Sequence, residues 1–213
     1  MRSFLFAALL TLSGAVASAA GALPYESSLS FVAYRNGEPI GRHTVTFERD
    51  GGQLKVSTSI ELAVKFMGFT AYRYSHRAQE VWAGDSLVSL TSTTDDNGTK
   101  HNVTATRRAG DITVAHDGKQ TVLPAKTLPS SHWNIEQVRQ SMLLNTQKGT
   151  EAKVAITQGA RENVKILSGF VPATRYSYTG DVVMDQWFDD RGRWVKTSFK
   201  ASDGSTIEYV LQE

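Results

Sequence analysis

The residues best suited to chemistry lie in one run, AYRYSHRAQEVW, residues 71 to 82. Read with a period of two, it sets Tyr72, Tyr74, His76, Ala78, Glu80 and Trp82 on one face and Arg73, Ser75, Arg77 and Gln79 on the other. Aromatic rings sharing a face with one imidazole and one carboxyl are the makings of an apolar pocket with a few polar anchors. The same face would serve equally well as packed core. His76 and Glu80 stand four residues apart, about 13 Å along a strand, so each is expected to meet a neighbouring strand rather than the other. A second candidate is SSHWN, residues 130 to 134, which places His132 beside Trp133. Carboxylates gather at Asp181, Asp185, Asp189 and Asp190. A glycosidase-like pair is one reading of them; turn residues leading into Arg191-Gly192 are the better one.

The motifs of common enzymes are missing. There is no GxSxG, P-loop, HExxH or Gly-rich dinucleotide turn, and the absence of Cys excludes a thiol nucleophile and a thiolate metal site. The five His residues, at 43, 76, 101, 116 and 132, show no metal-ligand spacing. A hydrolase would need a Ser or Asp within hydrogen-bond reach of His132 or His76 in an open cleft. No catalytic residue, cofactor or metal is therefore expected. The candidate ligand-binding residues are Tyr72, Tyr74, His76, Glu80, Trp82, His132 and Trp133.

Something must position these side chains, and the pattern around them is β. Turn dipeptides recur at short intervals, among them Asn36-Gly37, Asp50-Gly51, Asn97-Gly98, Asp117-Gly118 and Asp203-Gly204. Such pairs suit the left-handed conformations of tight hairpins. Between them lie alternating segments, the cleanest being LKVSTSIELAVKF at 54–66, with Leu54, Val56, Thr58, Ile60, Leu62, Val64 and Phe66 in phase. Eleven or twelve strands are expected, drawn from 28–35, 39–49, 53–66, 69–83, 86–95, 99–108, 111–116, 119–123, 151–158, 162–169, 172–179, 182–189, 194–201 and 205–212. The expected fold is mainly all-β, a strongly curled antiparallel meander or incompletely closed β-barrel, because a single sheet of this size must curl.

One stretch breaks the alternation. Pro124, Pro129, Ser130 and Ser131 end the first run of strands, and Asn134 with Gln137 reads as a capping box. Ile135, Val138 and Met142 then share a helical face. A short helix at 134–142 is expected to cover the open side of the sheet. Near the end, Trp187 and Trp194 flank the turn Asp189-Asp190-Arg191-Gly192 and are expected to pair across a hairpin.

The first residues read as an export signal. Arg2 precedes the apolar run Phe4 to Leu12, and Ala17-Ser18-Ala19 satisfies a small-x-small cleavage site, giving a signal peptide 1–19 and a single domain 20–213. The run is too short for a permanent span, which needs about 20 apolar residues, so the mature chain is expected to lack a transmembrane segment. Export without Cys points to a bacterial periplasm. Lys and Arg number 23 against 21 Asp and Glu, with no basic run, so no nucleic-acid partner is expected.

Four pieces in order, FVAYRNGEPIGRHTVTF, YRYSHRAQEVWAGDSLVSLTSTTDDNG, SSHWN and DQWFDDRGRWVKTSFKASDGSTIEYVL, resemble a family of exported bacterial proteins known only as a domain of unknown function. The chain is also distantly similar to envelope proteins with a curled antiparallel sheet and a covering helix, some of which carry lipids or lipoproteins. The resemblance implies a fold and a compartment and brings no catalytic residues. Two functions fit these readings. One is a carrier of an apolar or amphipathic envelope molecule held in the concave sheet. The other is an envelope interaction or scaffold protein with a filled core and a protein partner.

Overall fold

The computed structural model describes residues 23–213, so the expected signal peptide lies outside the described residues. Eight strands follow one another as hairpins: β1 (Ser28–Arg35), β2 (Glu38–Asp50), β3 (Gln53–Phe66), β4 (Phe69–Ala83), β5 (Ser86–Asp96), β6 (Thr99–Arg107), β7 (Asp111–His116) and β8 (Lys119–Pro124). A break containing β9 (Leu128–Pro129), a 3₁₀ turn (Ile135–Arg139) and β10 (Met142–Leu144) interrupts them. The chain then resumes with β11 (Glu151–Ile166), β12 (Gly169–Gly180), β13 (Met184–Asp189), β14 (Trp194–Lys200) and β15 (Thr206–Leu211).

All of them belong to one 15-stranded sheet in the order β8-β7-β6-β5-β4-β3-β2-β1-β15-β14-β13-β12-β11-β10-β9. The ends of the domain meet in its middle, where β15 lies antiparallel to β1 with Phe31 opposite Leu211. The short pair β9 and β10 is parallel. The sheet curls without closing into a barrel, leaving β8 and β9 as its edges. Its curl is tight enough for Leu167 at the end of β11 to donate its N–H to Leu211 O of β15 at 3.0 Å.

Alternation sets which side chains line the interior. On β3, Leu54, Val56, Thr58, Ile60 and Leu62 are buried, and so are His76, Ala78, Glu80 and Trp82 on β4. The core built from these faces includes Phe31, Leu90, Ile112, Leu144, Phe188 and Trp194, all almost fully enclosed. The phase of β3 fails only at its end. Val64 is half-buried and Phe66 is exposed, because β3 and β4 run on past their neighbours.

The break at 127–147 does not lie over the sheet as a helix. Only Ile135–Arg139 is helical, and it is a 3₁₀ turn. Asn134 caps it as expected, its side-chain oxygen accepting from Glu136 N at 3.0 Å. Gln137, however, does not complete a capping box; its amide donates to His132 O at 3.0 Å and is fully buried. Met142 belongs to β10, whose pairing with β11 is worth more than another turn of a marginal helix. The whole segment is drawn into the curl, with Leu143 and Leu144 fully buried and Ser92 donating to Thr146 O at 2.5 Å.

Two other expectations are corrected. Segments 151–158 and 162–169 are one strand, β11, carried past Gly159 by a bulge between Gln158 and Arg161. Trp187 and Trp194 do not pair. A register shift after Trp187 sets Phe188 opposite Trp194 and Trp187 opposite Lys196, whose ammonium lies 5.4 Å from the Trp187 ring centre.

Candidate functional site

Inside the curl, a cavity of about 710 Å³ opens toward the end of the sheet that carries the β3–β4 and β14–β15 turns. Its apolar wall comes from Ile60 and Leu62 of β3, Met184 of β13, Phe199 of β14 and Ile207 of β15. These residues face inward because each falls on the enclosed phase of its strand. Among the described residues, the charged ones lining it are Arg35, Asp96 and Asp203, and all three sit at strand ends or turns around the mouth. There Arg35 pairs with Asp203 at 2.6 Å, and Tyr72 donates to Asp96 at 2.6 Å.

The polar groups deeper in are neutral. His43, His76 and His132 converge on the cavity from β2, β4 and the break. The rings of His43 and His132 lie 5.9 Å apart, and His43 stands edge-on to Trp194 and Tyr209, each at 5.0 Å. Burial holds the His43 pKa well below its ordinary value, with the neighbouring imidazoles of His132 and His76 adding to the effect. Burial likewise lowers His76 and His132 to about 4. His76 Nδ1 shares a hydrogen bond with Thr94 Oγ1 at 2.8 Å. Among the described residues, both nitrogens of His43 and Nδ1 of His132 have no partner, which is unusual for a protein interior.

His132 is held in place by its backbone. Its φ of 67° is in the left-handed region, which costs a residue with a Cβ about 1–2 kcal/mol. The carbonyl accepts from Gln137 Nε2 at 3.0 Å and Gln186 Nε2 at 2.8 Å, and the ring stacks on Trp194 at 5.1 Å. Two buried amides and an indole thus select a conformation the chain would otherwise avoid. Strain of this kind concentrates at functional positions.

Of the seven residues singled out from sequence, Tyr72, Tyr74, His76 and His132 line the cavity. Trp82, Trp133 and Glu80 do not. They share the phase of β4 or the SSHWN pentad, but they lie farther from the mouth, where Tyr25 and Phe47 fill the curl. Trp82 Nε1 and Trp133 Nε1 both donate to Glu80 Oε2, at 2.8 and 3.2 Å, and the two indoles meet edge to face at 5.5 Å. Glu80 Oε1 has no partner among the described residues. Burial pushes the Glu80 carboxyl up to about 7; the Ser131 hydroxyl, close but outside bonding geometry, and the two indole N–H groups pull the other way. Tyr25 completes the cluster, donating to Trp133 O, accepting from Trp194 N at 3.1 Å and stacking on Phe47 at 4.6 Å.

His43 and Tyr209 were not singled out from sequence. Their signal was present, since His43 is in phase with Val45 and Phe47, and Tyr209 with Ile207 and Leu211. What strand phase could not show is that these faces converge on the same cavity.

Among the described residues, no interior imidazole is hydrogen-bonded to a carboxylate or serine, and no three His, Asp or Glu are arranged to hold a metal ion. The carboxylates near the chain end are occupied by structure. Asp189 accepts from Arg191 N and Arg193 N, both at 2.9 Å, and Asp190 binds Arg161 at 2.5 Å. Asp185 accepts from Ser177 at 2.5 Å and Asp181 from Lys153 N at 2.8 Å.

A family model described as a domain of unknown function, DUF6134, matches residues 31–212, from the first strand to the last. The chain belongs to the DUF6134 family. No curated protein matches it. Among solved structures, this DUF6134 domain is similar to a beta-barrel-like protein of domain of unknown function DUF1849 from Brucella abortus. The TM-score is 0.60 at 10% identity, over 88% of this chain and 94% of that one. At that identity the likeness is one of fold.

Proposed function

We propose that this DUF6134 protein is a periplasmic binding or carrier protein that holds an apolar or amphipathic small molecule in the concave side of its sheet. The observation that carries this reading is the cavity of about 710 Å³, within the roughly 300–1,000 Å³ usual for small-molecule sites. A scaffold with a filled interior would have no use for such a space. The apolar wall suits a hydrocarbon or ring body. Neutral imidazoles with unmet hydrogen-bonding atoms at the inner end suit an uncharged polar group, such as a hydroxyl, a carbonyl or a protonated acid. Export through the segment 1–19 would place the protein where envelope lipids and their precursors are its neighbours.

Native mass spectrometry of protein purified from periplasm without detergent tests this directly. The expected result is a reproducible adduct that disappears in an Ala201→Trp variant, whose indole would fill the cavity wall, with the fold intact by circular dichroism. A clean apo mass, together with no displaceable binding of the apolar fluorophore N-phenylnaphthylamine, would sink the carrier reading in favour of the scaffold.

A further inference from the structure

At the cavity mouth, β3 and β4 continue beyond the rest of the sheet. The last β2 partner of β3 is Gly41, opposite Leu62, and the last β5 partner of β4 is Asp96, opposite Tyr74. From there, among the described residues, the two strands pair only with each other, out to Phe66 opposite Phe69. Four residues on β3 project in this way, about 13 Å of hairpin. The tip is apolar and bare: Phe66 is 68% exposed, Met67 83% and Phe69 79%. A protruding hairpin is where soluble proteins ordinarily place charge, so this composition calls for a partner.

We propose that the β3–β4 tip docks the mouth of the cavity onto the surface of an anionic phospholipid bilayer. Position supports this, because Val64, Ala71 and Tyr72 at the base of the hairpin are themselves part of the cavity wall. Val183, 68% exposed on the β12–β13 connection, is an apolar residue on the other side of the same mouth. Charge supports it too. Lys65 and Arg73 are exposed on the hairpin and form no ion pair among the described residues. Asp95 and Asp96 on the adjoining turn are engaged with Gly98 N at 2.7 Å and Tyr72 at 2.6 Å. Size decides against a second copy or another protein. Three such side chains offer on the order of 500 Å², short of the roughly 800 Å² per partner of a stable protein interface. They are enough to bury an apolar tip about 5–10 Å into a lipid interface flanked by basic residues. This docking does not depend on what the cavity holds.

Flotation of the purified mature protein with vesicles is the test. Wild type is expected to float with phosphatidylglycerol–phosphatidylethanolamine vesicles and far less with phosphatidylcholine alone. A Phe66→Ser, Phe69→Ser double variant should lose at least about tenfold in partitioning, as should Met67→Asp. Both should keep the wild-type melting temperature, because the replaced side chains are exposed. Phe170→Ser, equally exposed at the opposite end of the strands on the β11–β12 hairpin, should float like wild type. The proposal fails if wild type stays down with anionic vesicles, if the tip variants float undiminished, or if Phe170→Ser loses as much as they do.

Discussion

Glu80 shows how a residue that looks like a binding anchor in sequence becomes a structural element. It is fully enclosed, takes two indole N–H groups on one oxygen and leaves the other bare. Its folded pKa, about 7, lies above the 4.5 of the free side chain. The carboxyl therefore favours the fold below pH 4.5 and loses that contribution as pH rises through about 7. Glu80→Gln keeps an oxygen for the indoles and removes the cost of burying charge. It should stabilise the protein at pH 8 by about 1–3 kcal/mol, with the gain shrinking toward pH 5.5. Urea denaturation at the two pH values checks this, and an equal loss at both would mean that Glu80 carries no desolvation cost.

Among the elements, the break between β8 and β11 departs furthest from what its sequence suggests. Helical spacing at Ile135, Val138 and Met142 is real, but the segment is threaded through the curl, where β9 and β10 extend the sheet. A buried polar residue, Gln137, rather than an apolar face, fastens the turn. The segment ends at Gly149, which donates its N–H to Asn145 O at 2.8 Å and backs onto β6 and β7. A Cβ there would lie 2.4 Å from His116 Cβ and 3.2 Å from Val103 Cγ1, at a φ of +70°. Gly149→Ala is therefore expected to cost about 2–4 kcal/mol. Gly51→Ala, also at positive φ but with nothing within 4 Å, should cost only about 1–2 kcal/mol. A comparison of urea midpoints decides; equal losses would show that the break is not seated against β7.

For the molecule as a whole, the interior groups set how stability depends on pH. His43, His76 and His132 have folded pKa values below the 6.5 of a free imidazole, so their contribution is complete above pH 6.5 and declines as pH falls below it, for His76 and His132 toward about 4. Glu80 has the opposite sign between pH 4.5 and 7. Within the window from 4.5 to 6.5, three imidazoles gain protons on unfolding and one carboxyl releases one, a net uptake of about two. Stability should therefore fall with acidification in that window, by roughly 2–3 kcal/mol per pH unit at its steepest. Denaturant titrations between pH 4.5 and 8 measure it. A flat profile would mean that the imidazoles are solvated through the cavity.

Sequence alone determined the local features: the hairpin series, the strand phases, the Asn-Gly and Asp-Gly turns, and the placing of Tyr72, Tyr74 and His76 on one inward face. Each depends on neighbours within a few residues, through backbone preference or the period of two. Tertiary structure decided what depends on curl. It brought β15 onto β1, merged two expected strands through a bulge, and pulled the Ser130–Asn134 pentad inside rather than over the sheet. It divided the face of β4 between a cavity, at His76, and a packed indole cluster, at Glu80 and Trp82. Strand phase tells which side of a sheet a residue occupies. How far along the curl the interior is filled depends on side chains such as Tyr25, Phe47 and Trp133, which arrive from distant parts of the chain and leave no mark on the local pattern.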